Sequence, residues 1–145
     1  MPSHTEQQLS PYSPQQLFDL VADIEKYPKF LPWCRAARII ERTENKFLGE
    51  LVISFAHITE SYTSRVTLST PHSIDVVMVK GPFEYLTNKW KFTPIENGTR
   101  IDLALDFKFR SRILEKLIGS LFSKATNKMA GAFKKRADEL YSVDK

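Results

Sequence analysis

The apolar positions change period twice along the chain. Leu17, Phe18, Leu20, Val21 and Ile24 recur at helical spacing behind Ser13, Pro14 and Gln16, which read as an N-cap, a first-turn proline and a capping-box partner. This spacing predicts a short helix over about 14–24. Pro28 and Pro32 then break the segment DIEKYPKFLPWC into turns or a second short helix, although it carries Tyr27, Phe30, Leu31 and Trp33. From Ala36 to Arg110 the period is two. Phe47, Leu51, Ile53 and Phe55 alternate with polar residues, as do Tyr62, Ser64, Val66 and Leu68, then Leu86, Asn88, Trp90 and Phe92, and finally Ile101, Leu103, Leu105, Phe107 and Phe109. Turn-type sequences around Thr43–Lys46, Thr70–Ser73, Gly81-Pro82 and Glu96–Thr99 predict an antiparallel meander. Ile74–Val79 is apolar on both faces and is expected at the centre of the sheet.

Beyond Arg110 the helical period returns. Ile113, Leu114, Leu117, Ile118, Leu121, Phe122, Ala125, Met129, Ala132, Phe133, Ala137 and Leu140 form one broad apolar stripe, which predicts a single long amphipathic helix with a bend or a close backbone approach near Gly119 or Gly131. The expected architecture is α+β. A curved antiparallel sheet of six to seven strands wraps on the long C-terminal helix, with short helices near the N-terminus filling one end. The whole chain, 1–145, is expected to be one domain with its core at about 3–142.

Charge sharpens this picture. The formal net charge is +4, but residues 1–72 hold seven basic and eight acidic side chains, whereas residues 111–142 alone hold seven basic and three acidic ones. The excess therefore marks one basic face on the C-terminal segment. The single cysteine, Cys34, fits a reducing cytoplasm, and no secretory or transit signal or membrane-spanning stretch is visible. His4, His57 and His72 are scattered, and no glycine loop of phosphate-binding order occurs, so no metal, nucleotide or catalytic group is expected. Glu50, Asp102 and Asp106 fall on wet strand faces and are assigned no acid or base role.

Four segments narrow the family: Pro11–Cys34, VKGPF at Val79–Phe83, NKWKFTP at Asn88–Pro94 and TRIDLALDFKFRS at Thr99–Ser111. Together they resemble the coenzyme Q binding protein family of START-like, helix-grip domains, which also includes the bacterial ribosome-association toxin proteins. The resemblance spans about residues 3–142. It implies a cavity between sheet and helix that holds a prenylated quinone such as ubiquinone, without a resident cofactor or catalytic centre, in support of respiratory electron transfer or quinone biosynthesis. The alternative it carries is binding to the large ribosomal subunit, impeding subunit association. An aromatase or cyclase activity would need acids or bases in the pocket, and none is found.

Pattern alone fits a solid aromatic core better than a pocket; the resemblance favours the pocket. On that reading the ligand would meet Phe55, Tyr62, Ser64, Asn88, Trp90, Leu105 and Phe107 from the sheet and Leu117 and Leu121 from the helix. Phe30, Leu31, Trp33 and Phe83 would form an apolar mouth, or else a small core sealing one end of the barrel. Lys116, Lys124, Lys128 and Lys135 would face an anionic partner: a bilayer, with the protein cytoplasmic or peripheral at the inner membrane, or ribosomal RNA in the alternative. No DNA partner is expected.

Overall fold

A computed structural model describes residues 3–142. In chain order the elements are β1 Ser3–Ser10, α1 Pro14–Ala22, a 3-10 helix Ile24–Lys29, β2 Cys34–Arg42, β3 Lys46–Phe55, β4 Ile58–Ser69, β5 Ser73–Lys80, β6 Phe83–Ile95, β7 Gly98–Phe109, α2 Arg112–Asn127 and α3 Met129–Tyr141. Strands β2 to β7 form an antiparallel meander and β1 adds to the far side of β7, giving the order β1-β7-β6-β5-β4-β3-β2. The doubly apolar β5 is the middle strand of seven. The helices close the inner face of the sheet, which is the helix-grip arrangement.

Local chemistry accounts for the boundaries. The Ser13 hydroxyl accepts from the Gln16 backbone while the Gln16 side chain accepts from the Ser13 N–H, so the capping box starts α1 as expected. Pro28 is accommodated in the 3-10 helix, and the Tyr27 hydroxyl reaches back to the carbonyl of Val21. Between β3 and β4 the chain reverses in two residues, Ala56 and His57, both at positive φ. That hairpin carries none of the usual Asn or Gly signals.

The long C-terminal helix is two helices. The break lies at Lys128, whose N–H bonds the carbonyl of Ala125, three residues back, so the last turn of α2 tightens and the helix ends. Two residues earlier the Thr126 hydroxyl bonds the carbonyl of Ser123, a local competitor for the helical ladder. Neither Gly119 nor Gly131 causes the bend. A side chain at Gly131 would meet open space, and one at Gly119 only ordinary contacts.

The stripe on α2 is also narrower than its sequence suggests. Ile118 and Phe122 are buried, whereas Ile113, Leu117 and Leu121 point outward, with Ile113 72% and Leu117 56% exposed. The sheet accepts one arc of the apolar surface and leaves the next in water.

Candidate ligand cavity

Two aromatic clusters fill the ends of the space between sheet and helices. Under α2, Phe83, Phe107, Phe109 and Phe122 pack at ring-centroid separations of 4.7–6.1 Å, and Phe55 joins through Phe122. Under α3, Phe133 lies edge-on to Tyr27, Phe30 and Trp90, and Trp90 stacks on Phe92. Between the clusters lies a cavity of about 80 Å³, lined mainly by aliphatic and aromatic groups. Four of its wall residues are short: Gly49 and Ser64, direct cross-strand partners on β3 and β4, and Ala125 and Thr126 on α2.

Its polar content is neutral. Asn88 is held by the sheet: its amide nitrogen donates to the carbonyl of Ala104 at 3.2 Å and its oxygen accepts from the Trp90 indole at 2.8 Å. The Thr126 hydroxyl is spent on its own helix. Burial pushes the Tyr62 hydroxyl far above its ordinary range, so it stays protonated. Ser64 differs from these. Its side-chain oxygen is buried and has no hydrogen-bond partner, although buried hydroxyls nearly always find one.

Of the residues expected to meet a ligand, Tyr62, Ser64, Asn88, Trp90 and Leu105 do line this cavity. Phe55 and Phe107 do not; they are packed within the α2 aromatic cluster. Leu117 and Leu121 stand on the outer side of α2, because Phe122 and Ala125 hold the inward phase of the helix. The α2 and α3 contributors Phe122, Ala125, Thr126, Met129 and Phe133, and Ile24 and Tyr27 from the 3-10 helix, were not singled out as ligand positions. The sequence held no signal for the α2 members of this group, because the apolar stripe of that helix spans two adjacent rows and packing selects between them.

The expected mouth also divides. Phe83 is 0% and Leu31 1% exposed, so both are core. The β5–β6 ladder ends at Val77↔Thr87, and Phe83 beyond it packs on the rings of Tyr62, Phe107, Phe109 and Phe122. Leu31 is held by its N–H bond to the carbonyl of Tyr27. Trp33 is half-buried, stacks on Phe55 and touches the cavity, while Phe30 is half-buried beneath the Arg136 guanidinium. The proline-broken aromatic segment therefore reaches both clusters, Tyr27 and Phe30 packing on Phe133 and Trp33 on Phe55. Lys116, Lys124, Lys128 and Lys135 are all exposed. Among the described residues no three His, Cys, Asp or Glu side chains come together as a metal site, and no helix is long and apolar enough to cross a membrane.

Residues 10–134 match the family described as polyketide cyclase / dehydrase and lipid transport. The chain belongs to this family. Within it, the chain is 50% identical over 134 residues to the ribosome association toxin RatA of Rickettsia prowazekii, covering 90% of this chain and 92% of that protein. The solution structure of the 18 kDa protein CC1736 from Caulobacter crescentus superposes with a TM-score of 0.76 at 32% identity, covering 99% of this chain and 100% of that one. A more distant relative, the mitochondrial coenzyme Q-binding protein COQ10 homolog B of Xenopus laevis, is 27% identical over 95% of this chain and 59% of its own length. The chain thus lies nearer the relatives named for ribosome association than the one named for coenzyme Q, the reverse of the emphasis expected from sequence.

Proposed function

We propose that the chain associates with the ribosome and acts by binding, without catalysis. The observation that carries this reading is the 50% identity, over nearly the full length of both chains, with a protein named for ribosome association. The exposed α3 lysines, Lys134 and Lys135, supply charge of the right sign for ribosomal RNA. The cavity offers neutral hydroxyls, an amide and apolar walls, a poor set for acid–base chemistry. On this reading the protein works in the cytoplasm on the large subunit and impedes its joining to the small one. Sedimentation through a sucrose gradient tests it. The protein is expected to travel with large subunits and to lower the yield of joined ribosomes; protein that stays at the top of the gradient overturns the proposal.

A second reading has its own support in the unpartnered Ser64 hydroxyl inside an apolar cavity. A neutral hydrophobic ligand with one hydrogen-bonding group would satisfy it, and a prenylated quinone is of that class. A cavity of about 80 Å³ takes a few water molecules or a small ring. A long prenyl tail needs α2 and α3 to move apart. Mass spectrometry of an organic extract of the purified protein decides between an empty cavity and a stoichiometric lipid.

A further inference from the structure

The outer side of α2 carries two parallel rows. Ile113, Leu117 and Leu121, four residues apart, form an apolar row that is 72%, 56% and 37% exposed. Arg112, Lys116, Ser120, Lys124 and Lys128 form the next row, one step of three residues away, and all five are exposed. Among the described residues no ion pair engages any of these lysines. Glu115, the one acid on the helix, lies in a different row on the far side of the wheel. Among the described residues the other exposed large aliphatics are Leu9, Ile40, Val77, Val79 and Ile95 on strands and the single Leu140 on α3, and none forms such a row on a helix.

We propose that this face of α2 docks on an anionic lipid bilayer, independently of any ribosome binding. The apolar row enters the boundary between headgroups and acyl chains, and the lysine row reaches up to lipid phosphates. Both rows are needed for this and both are present. A nucleic acid would use the basic row alone and leave three large aliphatic side chains in water, with no aromatic side chain in either row to stack on bases. The opposite side of the same helix provides Phe122, Ala125 and Thr126 to the cavity. Docking therefore brings the cavity's outer wall, one helix thick, against lipid.

Vesicle flotation with the full chain tests this. Wild-type protein is expected to float with vesicles containing about 30% phosphatidylglycerol in phosphatidylcholine, and to bind far less to pure phosphatidylcholine, with binding weakening as salt rises past about 0.15 M. Leu117→Ser is expected to weaken binding about tenfold, the size of losing one leucine's burial. Lys116→Glu with Lys124→Glu is expected to weaken it by at least tenfold. Both variants alter side chains outside the core, and unchanged melting confirms their fold; if Leu117→Ser melts early, Ile113→Ser at the most exposed position replaces it. Failure of the wild type to float overturns the proposal, as does flotation unaffected by the apolar substitution. Loss of ribosome cosedimentation on charge reversal, with no vesicle binding by any form, assigns the face to RNA instead.

Discussion

Gly49 and Ser64 pair across β3 and β4, and both line the cavity. A methyl group at Gly49 would collide with the Ile24 δ-methyl and press on the Phe47 ring, so Gly49→Ala is expected to destabilise the protein by about 1–3 kcal/mol in urea unfolding. The opposite sign is expected at Ser64. Its hydroxyl is buried without a partner, so Ser64→Ala in the empty protein removes a desolvation cost and should stabilise by about 1 kcal/mol. A loss of stability would mean that bound water or ligand already satisfies that oxygen. Cys34 gives a pH signature. Burial pushes its thiol from 9.0 up to about 11, so between those values the unfolded chain has released a proton that the folded chain keeps, and stability must fall as pH rises. Cys34→Ala is expected to flatten that decline, measured by unfolding on either side of pH 9.0.

At the scale of elements, strands were more legible than helices. A strand has two faces, and one burial choice fixes every second residue; this is why the inward sets on β3, β4, β6 and β7 could be read directly. The doubly apolar run of β5 likewise placed it at the centre, although its outward Val77 and Val79 remain exposed. An apolar arc on a helix can exceed the groove that receives it. The stripe of α2 spans two adjacent rows, and packing of Phe122 against Phe107, Phe83, Phe109 and Phe55 selects the row containing Ile118 and Phe122. The Ala56-His57 hairpin and the break at Lys128 were illegible for another reason: each is fixed by its flanks, without the residue types that usually mark a turn. Helix phase can be checked directly. Ile118→Ala is expected to cost about 2–5 kcal/mol, while Leu117→Ser, one residue away, should change stability by less than about 0.5 kcal/mol. Equal costs would rotate α2 relative to the sheet.

Over the whole molecule, the cavity and the outer face of α2 share a helix but not their side chains, so their contributions can be separated. A cavity of about 80 Å³ forgoes packing worth about 2 kcal/mol, which is a substantial part of the stability of a chain this size. Ala125 points into that space from α2, and Ala125→Leu extends the wall into it without altering any outward residue. If the cavity is empty in the working protein, the substitution should raise the melting temperature and leave ribosome cosedimentation unchanged. If a lipid occupies it, the same substitution should displace the lipid from organic extracts while the apo-protein still folds. Measuring extracted lipid, melting and cosedimentation on one preparation resolves the two cases. Ribosome binding lost along with the lipid would mean that the ligand governs the surface through α2, whereas binding kept without it would confine ribosome association to the exterior.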